Sequence, residues 1–590
     1  MSQRPAPVTP PAPQTGAGSA RTDQTAPVTP PAPQTGAGSA RTDRTAAAVP
    51  PAPRTAAGSA GAGLPAPPDD RELYYYLGPQ RRWVLLGIAG SYLFTAASLF
   101  LFSLRTPLLW PFLAVLGVNL VAWTLALLDG QRTRRVTEEG HKLLLANYRP
   151  GTAPSVDVLL PTCGEDFDIL RNTYRHVAAL DWDGPVDVHV LDDADRAEVK
   201  ALAENYGFHY SVRDDRPRWK KAGNINHGYR LGDGEFIAVF DADFCPRPDF
   251  LRHLMPYFGD EDTAIVQSPQ HFRTTSGMGW LEKAAGAAQE LFYRWIQPSR
   301  DADDAAICCG SCVVYRREAL KELDGFPRMD HSEDMFTSIE LSKTGWQTAY
   351  VPVNLATGAS PDTTSAYVNQ QYRWAMGNLE LLADKGFHRR PMKLRTRLCF
   401  WNGFASYIVN AVNVFAVPIP AIIMAAAYAD QVRPWHMLAF MPTLWVWFVL
   451  LPAAHNTKWR LGVVRAQLLY SYTHVVALAH LLRRRTATWS PTGITKGRNK
   501  LATTVARLTM TWSSLTLLAL WGSLLYGAAT TQPLNYWPAA VFIAIHTVLH
   551  APLIAEAWRT LHPPASEEPD SPTPLSAPLD TDRDRAVAAN

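Results

Sequence analysis

The chain has 590 residues, 47% of them hydrophobic and only 18% charged, below the roughly 25% charged content usual in soluble domains. Its 56 basic and 53 acidic residues leave a net charge of +3, too slight a field to draw a nucleic acid. Six cysteines in this length exclude a disulfide scaffold. At about 150 residues per domain the length admits about four domains, but the apolar surplus assigns much of the chain to membrane instead.

Residues 1–70 are expected to form a disordered tail. They are mostly Pro, Ala, Thr, Gly and Ser, and the string APVTPPAPQTGAGSARTD at 6–23 recurs identically at 26–43, with a decayed copy from Thr45. Almost nothing there can be buried, so stacked repeats would not offset their ordering entropy. No short apolar core follows the first Arg, so a secretory signal peptide is not expected.

Segments 83–104 and 106–128 carry no charge, and each is long enough to cross about 30 Å of hydrocarbon. They make 71–130 a pair of spans. The uncharged runs 398–429 and 434–457 place a second pair in 396–457. The run 508–555, broken at Gln532-Pro533-Leu534-Asn535, places a third pair in 506–556, with a polar tail over 557–590. Arg71, Arg81 and Arg82 precede the first span, Arg132, Arg134 and Arg135 follow the second, and Lys458 and Arg460 follow the fourth, whereas the intervening turns hold only Arg105 and Arg433. The positive-inside rule then puts both termini and the long insert on the cytoplasmic side of the plasma membrane. Within 458–505, the short apolar stretch 466–482 has Arg460, Arg465 and Arg483–Arg485 on its flanks. Cations on both sides favour a helix lying in the interface; the alternative is a seventh span.

The insert, 131–395, changes character. Short apolar runs at 156–160, 186–191, 236–240 and 264–267 alternate with helical segments, the rhythm of a mostly parallel, Rossmann-like sheet covered on both faces. Such sheets bind ligands beyond the carboxyl ends of their strands, so residues just after strands are the candidates. Thr162 and Glu165 follow the first run, Asp192 and Asp193 end the second, Asp241 and Asp243 follow the third, and a later loop holds Ser332-Glu333-Asp334. Asp241 and Asp243, two apart, would point the same way on an extended backbone, and paired carboxylates suit Mg²⁺ or Mn²⁺ carrying a diphosphate. Lys220 and Lys221 open a small-residue helix start, Lys-Ala-Gly-Asn-Ile-Asn at 221–226, suited to phosphate oxygens. Gln370, Arg373 and Trp374 fall on one helical face, where Arg373 would neutralise a leaving phosphate and Trp374 would stack on a sugar; the alternative is an interfacial Trp/Arg anchor. Cys308, Cys309 and Cys312 lack a second ligand pair at zinc spacing and read instead as a small-residue turn lining a pocket.

Taken in order, Asp192-Asp193, KAGNIN (221–226), Asp241-Ala242-Asp243, VQSPQHF (266–272), CCGS (308–311), Ser332-Glu333-Asp334 and Gln370-x-x-Arg373-Trp374 resemble the processive family 2 glycosyltransferases of the cellulose synthase type. The resemblance runs from the first span to the last. It implies a glycosyltransferase-A-like α/β domain inserted in an α-helical bundle of about six spans. It also implies a UDP-sugar donor, Mg²⁺ or Mn²⁺, and a growing polysaccharide as acceptor. By resemblance Asp334 is the general base. Thr162, Glu165, Asp192 and Asp193 hold the uridine end, Lys221 and Arg373 the diphosphate, and Asp243 with Asp241 the metal. Gln370 and Trp374, with Cys309, Gly310 and Ser311, bind the acceptor. The loop from Trp489 to Gly497 is similar to the family's gating loop, with Thr495 and Lys496 closing over the nucleotide. The implied product is a β-1,4-glucan passed outward along a path that Asn402, Asn410 and Asn413 would line. Alternatives are a mixed-linkage glucan, a mannan, an aminosugar polymer, or a non-catalytic scaffold that recruits envelope or cell-wall accessory proteins. Regulated members carry a cyclic-di-GMP-binding barrel after the last span, and the residues after Glu556 are too few for one, so direct activation by that dinucleotide is not expected. Two departures stand out: Cys308-Cys309 replaces an aromatic-rich start before Cys-Gly-Ser, and Ser332 replaces Thr.

Overall fold

The computed structural model describes residues 64–79, 82–455, 461–486 and 499–563. Most of the repeat tail, the 564–590 end and the gating-like loop with Thr495 and Lys496 lie outside the described residues.

Among the described residues nine strands form two sheets: β1 Val156–Thr162, β2 Val186–Asp192, β3 His209–Ser211, β4 Phe236–Val239, β5 Cys245–Pro246, β6 Thr263–Gln267, β7 Val313–Arg316, β8 Gln347–Tyr350 and β9 Ala356–Thr357. Seven make one sheet in the order β3-β2-β1-β4-β7-β6-β8, and β5 pairs with β9. Neighbours are parallel except at β7, which runs antiparallel to both β4 and β6. β1 is buried along its whole length, as expected of a strand covered on both faces. Its one charge, Asp157, is tied to Arg317 and accepts the Gly234 N–H at 3.0 Å, so the carboxylate is paired rather than stranded. Apolar cores fill both faces of the sheet. Because β2 and β4 lie on opposite sides of β1, the order reverses there and a crevice opens beyond the carboxyl ends of these strands.

Among the described residues six helices are long and apolar enough to cross a membrane: Trp83–Ser103, Pro107–Gly130, Leu394–Ala427, Pro434–Ala454, Lys500–Thr530 and Trp537–Leu561. They match the six expected spans. The helix Leu461–Leu482, containing the seventh apolar stretch, is not among them and packs on Trp280–Leu291, Thr364–Ala383 and Leu394–Ala416. Polar residues knit the bundle. Asn119 and Asn413 exchange amide hydrogen bonds at 2.9 and 2.7 Å, and Asn402 donates to Asp129 at 2.6 Å, where Arg300 also approaches at 3.2 Å. Asn402 and Asn413 therefore join helices rather than line an open path.

One stretch departs from the composition reading. The last residues of the 1–70 segment, from Leu64 onward, are described and tied to the sheet domain. The carbonyls of Pro65, Pro67 and Pro68 accept from Asn172 at 2.7 Å, Arg273 at 3.0 Å and Arg247 at 2.8 Å.

Candidate active site

The crevice is a cavity of about 630 Å³, within the range of small-molecule sites. It gathers Thr162, Glu165, Asp193, Lys221, Asp241, Asp243, Cys309, Asp334, Gln370, Arg373 and Trp374 on its walls, residues drawn from nearly every motif singled out in the sequence.

Its floor is a saturated carboxylate centre. Asp192, at the tip of β2, is fully buried and off the cavity wall. It accepts from the Thr162 hydroxyl at 3.1 Å, the Ala194 and Arg196 N–H groups at 3.0 and 2.9 Å, and the Tyr210 hydroxyl at 3.2 Å. That leaves it as a support for the wall residues Thr162 and Asp193 rather than a direct contact. Asp193 receives both arms of the Arg213 fork at 2.7 Å each, a bidentate pair almost sealed from water. Glu165 accepts the Cys163 N–H at 2.6 Å, yet burial pushes its carboxyl up to about 7.

The opposite edge is crowded with carboxylates. Asp241 and Asp243 sit not on extended backbone but on the turn after β4, closed by the Phe244 N–H on the Asp241 carbonyl at 3.0 Å. Both nonetheless face the cavity. The Asp241 N–H is held by the Ser311 hydroxyl at 2.9 Å. Ser311 is itself fully buried, so it positions Asp241 instead of meeting an acceptor. Lys221 Nζ pairs with Asp241 and donates to the Gly310 carbonyl at 2.8 Å. Burial pulls this lysine down, but the Asp241 carboxylate outweighs it and the net direction is up. Burial and the neighbouring Asp241 charge push Asp243 up to about 7. Asp334, in the first turn of Glu333–Leu341, is lifted to about 7 by burial and by Glu333. Arg373 is pulled down by burial while Asp241, Glu333, Asp243 and Asp334 act against that pull. His331, also on the wall, is lowered to about 4 by burial and by Lys220, so its ring is neutral.

Two glycines set the spacing. Gly310 has φ +75°, and a Cβ there would lie 2.8 Å from an Asp334 oxygen, so only glycine lets this turn meet the carboxylate. A Cβ on Gly377 would fall 1.8 Å from the Ser332 hydroxyl. The helix Thr364–Ala383, which presents Gln370, Arg373 and Trp374, thus touches the N-cap of the helix that carries Asp334.

Three residues that hold this geometry had no role in the sequence reading: Arg213 was missed, and Gln267 and Gln270 stood only inside the VQSPQHF motif. Arg213 clamps Asp193. Gln267 accepts the Cys309 N–H at 2.7 Å and donates to the Ser311 carbonyl at 2.9 Å, and Gln270 donates to the Cys309 carbonyl at 2.7 Å. Gln267 ends β6 and Arg213 follows β3, so inspecting every strand end would have found both. Of the residues expected to bind acceptor, Cys309, Gln370 and Trp374 are on the cavity wall, whereas Gly310 and Ser311 are not and act as support.

Among the described residues no group of three or more His, Cys, Asp or Glu forms a metal cluster. A dication beside Asp241 and Asp243 would complete its shell with diphosphate oxygens and water. The donor set fits that use, since a dication would offset the burial and the Asp241 charge that hold Asp243 near 7.

A mostly parallel sheet with one reversed strand, a carboxylate-lined cavity at its switch point and six long apolar helices together define a glycosyltransferase-A-like domain set on a membrane bundle. Residues 154–377 match the family described as Glycosyltransferase like family 2. The UDP-forming cellulose synthase catalytic subunit of Xanthomonas axonopodis pv. citri (strain 306) is 33% identical over 267 residues, 44% of this chain and 36% of that protein. That of Pseudomonas fluorescens (strain SBW25) is 34% identical over 282 residues, 46% and 37% respectively. The chain spans little more than a third of the length of these curated relatives. The solved mannosyltransferase PcManGT from Pyrobaculum calidifontis, in complex with GDP-Man and Mn²⁺, aligns at a TM-score of 0.40 with 16% identity, covering 62% of this chain and 100% of that one; so slight a likeness carries no argument.

Proposed function

We propose that the protein is a membrane-embedded, processive, inverting glycosyltransferase. It transfers glucose from UDP-glucose to the end of a growing β-1,4-glucan and passes the chain across the plasma membrane, its sheet domain on the cytoplasmic side. One observation carries this reading: carboxylates, cations and a tryptophan drawn from distant motifs share one cavity, whose wall helix Thr364–Ala383 packs on the bundle.

A sugar hydroxyl is a weak nucleophile, so its proton must leave as it attacks. Asp334 is the group for that task. Its lifted carboxyl accepts the proton near neutral pH, help worth about 10²–10⁴-fold. The hydroxyl oxygen bonds to the donor's C1 while the C1–phosphate oxygen bond breaks and UDP departs, turning an α-linked donor into a β-linked product. Lys221 and Arg373 bring positive charge to the departing diphosphate. Asp243, with Asp241, would hold Mg²⁺ or Mn²⁺, which supplies Lewis-acid stabilisation of that diphosphate. Thr162, Glu165 and Asp193 would hold the uridine end, with Asp192 bracing Thr162. Trp374 offers an aromatic face to the acceptor sugar, beside Gln370 and the turn from Cys309 to Ser311. Thr495 and Lys496 are proposed to close over the nucleotide. A second polymer class is favoured by one feature: Cys309 on the cavity wall belongs to a turn whose sequence departs from the family's aromatic-rich start.

The test is incorporation of labelled sugar by purified full-length protein with Mg²⁺ or Mn²⁺ and a panel of UDP- and GDP-sugars, followed by linkage-specific hydrolases. A UDP-glucose-dependent polymer cut by a β-1,4-glucanase is expected. Polymer from another donor selects the second reading. Failure with every donor, alongside ready binding of UDP, overturns the enzyme assignment.

A further inference from the structure

The residues 64–68, Leu-Pro-Ala-Pro-Pro, are the part of the chain whose position composition least foretold. They carry three prolines, which have no N–H and whose carbonyls can only accept. All three carbonyls are taken by side chains from three different elements. Asn172 lies on the helix Phe167–Val177 just after the Glu165 loop, Arg247 follows β5 and so stands four positions past Asp243, and Arg273 follows β6. Two of these clips are doubled by ion pairs, Arg247 with Asp70 at 2.9 Å and Arg273 with Glu72. The strap is thus fastened to the elements that present Glu165 and Asp243. Leu64, Pro65 and Ala66 face the same cavity as those two carboxylates.

We infer that this strap is a wall of the donor site: Leu64, Pro65 and Ala66 close the cavity beside Glu165 and Asp243 and set its affinity for a nucleoside diphosphate sugar. The inference rests on the donor reading given above. Occupancy and the strap are compatible, because the cavity keeps about 630 Å³ with the strap in place; a plug would have consumed that space. Prolines suit the task, since their fixed φ lowers the entropy lost when the strap is clipped down. A wall contributes to ground state and transition state alike, so its loss should raise KM and spare kcat.

Two measurements on the full-length protein test this. Leu64 and Ala66 are the only residues of the strap with exchangeable backbone N–H groups. UDP with Mg²⁺ should slow their hydrogen exchange severalfold in the unaltered protein. In the combined variant Leu64→Gly, Pro65→Ser, Ala66→Gly, Pro67→Ser and Pro68→Gly, the Kd for UDP and the KM for UDP-glucose should rise at least about threefold with kcat within about twofold. If the unaltered protein binds UDP and strap exchange does not change, the inference fails whatever the variant does. If the variant binds UDP as tightly as its parent, it fails as well. An unaltered protein that binds no UDP overturns the donor reading and the strap's role with it.

Discussion

The two sides of the cavity handle buried charge in opposite ways. At the tip of β2 both carboxylates are matched: Asp192 accepts four hydrogen bonds and Asp193 takes the full Arg213 fork. On the edge, Asp241, Asp243, Glu333 and Asp334 surround two cations, Lys221 and Arg373, and both Asp243 and Asp334 are pushed up to about 7. A matched centre is a rigid support. A centre with surplus negative charge is incomplete without a positive ligand and a proton to accept, and that is where chemistry belongs.

Breaking the edge should cost most. Asp334→Asn keeps shape and removes the base, so labelled-sugar incorporation should fall by about 10²–10⁴-fold while UDP still binds; near-normal incorporation would remove Asp334 from its role. Asp243→Asn should erase the metal's help to the nucleotide. The ratio of UDP Kd values without and with Mg²⁺, read by calorimetry, should collapse toward one from a parent value above about tenfold, or 1.4 kcal/mol. The wild-type pH profile sharpens the contrast. Asp334 takes a proton only as carboxylate; lifted to about 7, it is mostly protonated at pH 6 and mostly ionised at pH 8. The initial rate at saturating UDP-glucose and Mg²⁺ should therefore climb about tenfold across that interval, and a flat profile contradicts the assignment. On the floor, Arg213→Lys keeps the charge but loses the fork. It should lower stability by about 1 kcal/mol, a thermal shift of a few degrees, with turnover little changed.

Much of this was legible in the chain. The spans announced themselves as uncharged runs, because a bilayer tolerates no others of that length. β1, β2, β4 and β6 showed as apolar runs ending in polar residues, and that rule led to Thr162, Asp193, Asp241 and Asp243. Asp334 stood out in what read as a loop and Trp374 by its helical spacing from Gln370, while their roles came from the resemblance; both sit on helices. Roles proved harder to read than places. Asp192 and Asp193 are adjacent in sequence, yet one is a buried pillar and the other a wall, a split that depends on which face of the strand end each takes. Ser311 likewise looked like an acceptor contact and turned out to brace Asp241. The strap at 64–68 was unreadable from composition because its order comes from donors more than 100 residues away: Asn172, Arg247 and Arg273.

The contact between Gly377 and Ser332 has a mechanical side. The helix bearing that glycine rests on Leu394–Ala416, Leu461–Leu482 and Lys500–Thr530, and with no side chain at residue 377 nothing cushions it from Ser332, the N-cap of the helix that carries Asp334. A shift of either helix is therefore passed to the other with no soft layer between them.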